Sequence, residues 1–185
     1  MSRPAHRPSL RDKALDSGLD LLRRGTPLSL DSVARAAGLT KPGLMYHFPT
    51  KVTLMTALVD RVVDRCEGEL EGHLPAGTTS PTTKERLAAY LRWSLVSPHD
   101  GADLVMLGDP RLRDRMIARW SERLQPWVEI PEDLPAPDRA RLHLVRLAAD
   151  GAWFADSSGY LPLTDDERRD LLLVALGLLE QRAAG

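Results

Sequence analysis

Apolar residues along this 185-residue chain recur at spacings of three and four almost throughout, and no alternating run of β-branched residues is long enough to make a strand. That periodicity points to an all-α fold. A first helix follows Ser9, carries Leu10, Ala14, Gly18 and Leu22 down one side, and ends at Arg23, Arg24 and Gly25. A short second helix, capped by Ser29, buries Leu30, Val33, Ala34 and Ala37 before Gly38 stops it. A third begins near Thr40 with Leu44 and Phe48 on one face. A fourth begins near Thr50 and sets Leu54, Leu58, Val62, Cys66 and Leu70 four apart, long enough to join two domains.

Residues 74–81, rich in Pro, Gly and Thr, form the clearest linker. Beyond it, Thr82 and Glu85 make a capping box for a helix that runs to about Val96. A break follows at residues 97–101, then a short helical piece to Gly108. Asp109 and Pro110 read as the cap and first turn of a helix bearing Leu112, Met116, Trp120 and Leu124, expected to end before Pro126 and leave Trp127 outside. After a proline-rich loop, a long helix carries Leu142, Val145, Ala149, Ala152 and Trp153 and stops by Gly159. A second capping box, Thr164 and Glu167, opens the last helix. The expected organisation is a head at 1–51, a connecting fourth helix at about 51–73, and a helical body at 74–185.

Charge separates the same two regions. The net charge of the chain is −1, yet residues 1–51 hold nine basic residues, Arg3 and Arg7 among them, against four aspartates, a balance of +5. The remainder stands at −6. A basic head on an acidic body directs polyanion binding to one end. The single cysteine, Cys66, excludes an internal disulfide. Residues 1–10 lack the apolar stretch of a signal peptide, and the longest apolar run, residues 171–179, is too short to span a bilayer. A cytoplasmic protein with no membrane association is expected.

The most informative stretch lies between Leu30 and Lys51. A helix-turn-helix needs a small residue in its first helix, a glycine in the turn, and apolar residues that hold the second helix across the first. Ala34, Gly38, Leu39 and Leu44 meet these needs, the glycine supplying a positive φ. One face of the second helix is then free for a DNA groove. It begins at Thr40 and presents Lys41, Gly43, Tyr46 and His47. Singly, each of these side chains fits ordinary packing or solvation; at this spacing inside the basic segment they read as a DNA-binding face.

The segment Leu39-Thr40-Lys41-Pro42-Gly43-Leu44-Met45-Tyr46-His47-Phe48-Pro49-Thr50-Lys51, preceded by Val33-Ala34 and Gly38, resembles the TetR (tetracycline-repressor-like) family. The resemblance covers the first third of the chain closely and the rest in layout. It implies an N-terminal three-helix helix-turn-helix domain joined by a long fourth helix to a C-terminal ligand-binding and dimerisation domain. It makes Lys41 and Gly43 candidates for base or groove-edge contact, and Thr40, Tyr46, His47 and Lys51 candidates for phosphate contact. Ser29, capping the preceding helix, and Met45 complete the DNA-facing set. Pro42 stands where glycine is common, which the first helical turn tolerates, and Met45 stands where tyrosine or leucine is usual, which removes one hydroxyl.

The resemblance also implies a homodimer on a palindromic operator, with the last two helices of each chain forming a four-helix bundle. The composition of the final helix favours this independently, because its leucines cannot all face one small core. Ala152, Ala155, Leu171, Val174, Ala175 and Leu178 are the expected interface, with Gly151 permitting close approach. An effector pocket for an unknown small molecule is expected from Tyr90, Trp93, His99, Met106, Met116, Trp120, Trp127, His143, Asp150 and Phe154, an apolar lining with a few polar groups. Repression relieved by that molecule is the family's usual mode. Control by a protein partner, or no ligand at all, is the standing alternative, and a helical enzyme a remote one. No phosphate-cradling glycine loop, nucleophile elbow or zinc-ligand spacing occurs, so no cofactor, metal or catalytic residue is expected.

Overall fold

The computed structural model describes residues 9–181. Arg3 and Arg7, counted in the basic head, lie outside the described residues. The helices are α1 (Leu10–Arg23), α2 (Leu30–Ala37), α3 (Lys41–His47), α4 (Lys51–Gly72), α5 (Thr83–Val96), a 3₁₀ segment (Gly101–Leu107), α6 (Arg113–Val128), α7 (Ala136–Ser158) and α8 (Asp165–Glu180). The described residues include no strand.

By internal contacts the chain forms two compact units, residues 1–62 with 101–120, and residues 63–100 with 121–185. In the first, α1 packs on α2, α3 and the 3₁₀ segment. Its core holds Ala14, Leu15, Leu19, Val33, Ala34, Ala37, Leu44, Phe48, Leu54 and Leu58. The approach of α1 to α4 depends on Gly18, where a Cβ would stand 3.0 Å from Leu58 Cδ2. Arg61 of α4 reaches Asp16 at 3.0 Å and Asp12 at 3.4 Å, and Arg119 reaches Asp60 at 2.8 Å. In the second unit α5, α7 and α8 pack mutually around Leu87, Tyr90, Leu91, Leu142, Val145, Ala149 and Leu179. Arg123 of α6 pairs there with Asp64 at 2.7 Å and with Glu67.

Local sequence accounts for the helix ends. Ser9 accepts the Asp12 N–H, and Thr40 accepts that of Gly43. Ser29–Ser32, Thr82–Glu85 and Thr164–Glu167 form reciprocal capping boxes. The carboxylates of Glu85 and Glu167 are held below their ordinary pKa by the backbone N–H and then the hydroxyl of their capping threonines.

α6 departs from expectation at both ends. Asp109 does not cap it: its carboxylate takes the Arg111 N–H at 2.8 Å and the Lys51 ammonium instead, and α6 begins only at Arg113. Pro126 does not end it either, and Trp127 lies inside the helix. Proline removes one backbone hydrogen bond and crowds the preceding turn. Two residues from the end of a helix, that penalty falls on the turn most ready to relax.

Candidate nucleic-acid interface

α2 and α3 meet at Gly38, whose φ of +65° places it in the left-handed region. The Gly38 N–H reaches back to α2, and Leu39 N donates to Ala34 O at 2.8 Å. This double closure fixes the angle at which the chain enters α3. Leu44 and Phe48 are then buried, at 0% and 2% exposure. Lys41, Pro42, Met45 and Tyr46 are exposed, Tyr46 at 85%. The Tyr46 phenol is therefore no part of the core, which Leu44 and Phe48 fill from the other side of the helix.

The remaining residues of the expected DNA-facing set have individual settings. Gly43 lies against its own cap, where a Cβ would meet Thr40 Oγ1 at 3.1 Å. His47 is half-buried and meets Tyr46 edge-on, with ring centroids 5.1 Å apart. Ser29 lies within its capping box with Ser32, and Ser32 Oγ donates to Pro27 O at 3.1 Å, so both hydroxyls serve the turn before α2. Lys41 pairs with exposed Asp31 of α2 at 3.1 Å. Lys51 pairs with Asp109, whose side chain is only 9% exposed. The ammonium of Lys51, its side chain 40% exposed, is therefore ion-paired within its own unit, as that of Lys41 is with Asp31.

Two cations near the motif had counted only as bulk charge in the sequence. The Arg11 guanidinium lies over the Phe48 ring, 5.4 Å from its centroid. Lys13 Nζ lies 3.7 Å from where a Cβ on Gly38 would stand. Both are on α1, outside the motif, and no spacing rule within the motif reaches them.

The residues expected to line an effector pocket fall in both units. Met106, Met116 and Trp120 belong to the first unit. In the second, Trp93 is buried and stacks on Tyr90 at 5.6 Å and on Trp153 at 6.4 Å, with His99 edge-on at 4.7 Å. The indole N–H of Trp93 donates to Glu69 Oε2, and the Tyr90 hydroxyl to Asp150 Oδ1, each at 2.8 Å. Burial, reinforced by the Asp150 charge, pushes the Tyr90 phenol well above its usual pKa, so it stays a donor. Asp150 also receives Arg146 at 2.7 Å. His143 is exposed on α7, and Trp127 borders a separate cleft with residues 71–81. Among the described residues no group of three His, Cys, Asp or Glu is disposed to hold a metal ion, and no helix is long and apolar enough to cross a membrane.

The family model described as tetracyclin repressor-like, C-terminal domain, matches residues 84–179, more than half of the chain. The chain belongs to the TetR family. That match falls on the body, whereas the motif that resembles the family falls on the head, so the two halves point to it separately. Solved structures share the fold. A TetR-family member from Streptomyces coelicolor is 22% identical, with 91% of this chain and 98% of that one covered and a TM-score of 0.59. A TetR transcription regulator from Haloarcula marismortui is 18% identical, with 92% and 96% covered and a TM-score of 0.60. The multidrug binding protein EbrR, complexed with imidazole, is 20% identical, with 96% and 99% covered and a TM-score of 0.58. No curated protein matches the sequence.

In this TetR-family chain, α7 and α8 leave an apolar face open. Leu144 and Leu147 are 57% and 56% exposed, Phe154 44%, and Leu173 and Val174 65% each. Phe154 thus belongs to this face and not to an interior pocket. Of the residues expected at a dimer interface, Val174 lies on the face, while Ala155, Leu171 and Leu178 are half-buried beside it. Ala152 and Ala175 are buried inside their own unit and are corrected to core. Gly151, one of the small residues expected to permit close approach, is exposed in the same stripe of α7 as Leu144, Leu147 and Phe154.

Proposed function

We propose that this TetR-family chain is a DNA-binding transcriptional regulator, a homodimer that represses from a palindromic operator and is released by a small molecule. The observation that carries the reading is the exposure of Tyr46 beside Lys41 on a helix whose other side is locked by Leu44 and Phe48. A short polar helix presented in this way, in a segment of net positive charge, suits entry into a major groove. Thr40, Lys41, Gly43, Met45, Tyr46 and His47 are the proposed contacts, with Arg11 and Lys13 added as flanking cations. Lys51 and Ser29 take supporting positions, through Asp109 and Ser32 respectively.

Residues 1–51 are the proposed DNA-binding domain, α4 the connector, and residues 74–185 the effector and dimerisation domain. The open face of α7 and α8 supports the dimer, since an apolar surface of this kind is unusual on a monomer. EbrR, of the same fold, has been solved with imidazole and with ethidium, which supports small-molecule control here. The cluster of Tyr90, Trp93, Asp150 and Glu69 is the proposed interior site, closed in this structure by its own stacking. Effector entry would move α4 and alter the separation of the paired heads from the major-groove repeat of about 34–36 Å. No catalytic role is assigned, and the site of action is the cytoplasm.

The test is selection of bound sequences from a random duplex pool, followed by anisotropy titration of the selected duplex. A palindromic consensus bound by wild type and lost with Tyr46→Ala is the expected result. Recovery of no consensus, or equal affinity for Tyr46→Ala, would overturn the reading.

A further inference from the structure

The turn between α7 and α8 holds an apolar tip out in water. Gly159 ends α7 with a φ of +71°, and Leu161, at +49°, is the one residue other than glycine with a positive φ among the described residues. Leu161 is 74% exposed and Tyr160 beside it 67%. The turn is fastened on both sides. Tyr160 N–H donates to Ser158 Oγ at 3.2 Å, and Arg168, which grips Asp156 with both Nη atoms, donates Nε–H to Leu163 O at 3.1 Å. A left-handed φ is unfavourable for an L residue with a Cβ, and leucine lacks the short polar side chain through which asparagine or aspartate offset it. Exposure of its apolar surface to water adds to the strain. Nothing within the chain compensates either, and backbone strain of this kind persists where a functional contact depends on it.

Beside the tip lies a groove of about 460 Å³, between the end of α5 and the same turn. Its apolar walls are Leu95, Val96, Pro98 and Leu163; of its charged residues, Asp156 and Arg168 hold each other, and Asp165 is exposed. Val96 stands 62% exposed at this groove. Each chain therefore carries a projecting apolar tip and, next to it, a recess. A two-fold contact joins the same patch on both subunits, so a tip that enters the partner's groove is matched by the partner's tip in its own. Tyr160 suits a recess of mixed lining, because its ring is apolar and its hydroxyl can donate to a carboxylate such as that of Asp165. The turn also joins the two helices that carry the open apolar face, with Phe154 of that face on the last turns of α7.

We propose, on the reading of α7 and α8 as the dimer face, that the occupant of this groove is a second copy of the chain: Tyr160 and Leu161 of each protomer dock in the groove beside Val96 of the other. The contact extends the dimer beyond the helix faces and gives the strained, exposed leucine a buried place. It involves no DNA, and neither does its test.

The test is sedimentation equilibrium of the full chain. Wild type should be a dimer, and Leu161→Asn and Tyr160→Ser should each raise its dissociation constant about tenfold or more, the effect of no longer burying one such side chain. Asparagine tolerates a left-handed φ, so in chains diluted to monomer Leu161→Asn should unfold at no lower denaturant concentration than wild type, which separates a docking residue from one that the turn itself needs. Val96→Ser in the groove should also weaken the dimer, and Leu161→Asn with Val96→Ser should weaken it by less than the product of the two single effects, because the two side chains meet across the interface. A monomeric wild type would overturn the dimer reading and the proposal together. With a dimeric wild type, an unchanged dissociation constant in Leu161→Asn, an earlier unfolding of its monomer, or single effects that multiply in the double variant would overturn the proposal alone.

Discussion

Lys51, the first residue of α4, is ion-paired with Asp109, which lies just before α6 and is nearly buried. Asp109 also accepts the Arg111 N–H at 2.8 Å. The pair therefore ties the helix that leaves the DNA-binding motif to residues 101–120, which share its unit. A carboxylate with two charge-assisted partners in a nearly dry position is one that the fold depends on.

Asp109→Asn should lower the unfolding free energy by about 1–3 kcal/mol at neutral pH, the range for hydrogen bonds to charged groups. Its pH dependence follows from the direction of the shift. The hydrogen bond from Lys51, then that from Arg111, hold the Asp109 pKa below its ordinary value. Stability from a depressed carboxylate is complete above the unfolded value of about 3.9 and is lost as pH falls through the folded value. The gap in melting temperature between wild type and variant should therefore be constant from neutrality to about pH 5 and narrow below about pH 4. A gap that widens on acidification would contradict the pairing.

Asp31 sits opposite Lys41 on the exposed side of the motif, at 3.1 Å. An exposed pair of this kind contributes at most about 1 kcal/mol to stability, so its charges can be changed without loss of fold. Asp31→Asn should tighten operator binding severalfold, because it removes a negative charge near phosphate and releases Lys41. Lys41→Ala should weaken binding and reduce the salt dependence of the logarithmic affinity by about one unit if it meets a phosphate, and Tyr46→Ala should weaken it by about tenfold. Anisotropy titrations at three salt concentrations separate these effects. Weaker binding by Asp31→Asn would mean that the pair positions Lys41 instead of competing for it.

The helices were legible because 3.6-residue periodicity and capping residues act locally. Ser9, Ser29, Thr40, Thr82 and Thr164 cap the helices they were expected to cap. The Gly38 turn was legible for the same reason, through its left-handed φ. What sequence did not disclose depends on contacts across the chain. Asp109 looked like a cap because Asp-Pro is a good helix start, but Lys51, distant in sequence, takes its carboxylate. Ala152 looked like interface because small residues permit close approach, and Ala175 because the last helix is apolar on so many sides; both properties serve packing within α5, α7 and α8 equally well. The aromatic residues of the body could be listed but not grouped, since no periodicity tells which of two units a tryptophan joins.

The open face of α7 and α8 makes a prediction about association. Leu147 and Leu173 are each more than half exposed within the chain, so a charge at either position leaves the chain's own core intact. Leu147→Asp and Leu173→Asp should each shift the sedimentation mass from dimer toward monomer and leave helix content unchanged, as each dimer would have to bury two unpaired carboxylates. Operator affinity should fall in parallel, because a single head reads only a half-site. Retention of the dimer by both variants would place the interface elsewhere.

Two glycines should respond to alanine with opposite signs. At Gly38 the φ of +65° is one that an L side chain rarely adopts, and the turn between α2 and α3 needs it for the bonds from Gly38 N and Leu39 N. Alanine there should lower stability by about 1–2 kcal/mol, the penalty per residue for the left-handed region. Gly68 lies inside α4 with helical neighbours on both sides, and a Cβ there would meet nothing within 4 Å. Alanine at Gly68 should instead raise stability by up to about 1 kcal/mol, the difference in helix propensity. Because the two positions fall in different units, amide hydrogen exchange followed separately on α2 and on α4 reports both. Slower exchange in α2 after Gly38→Ala would show that the turn does not need a left-handed residue, and with it the entry angle of α3 would lose its physical basis.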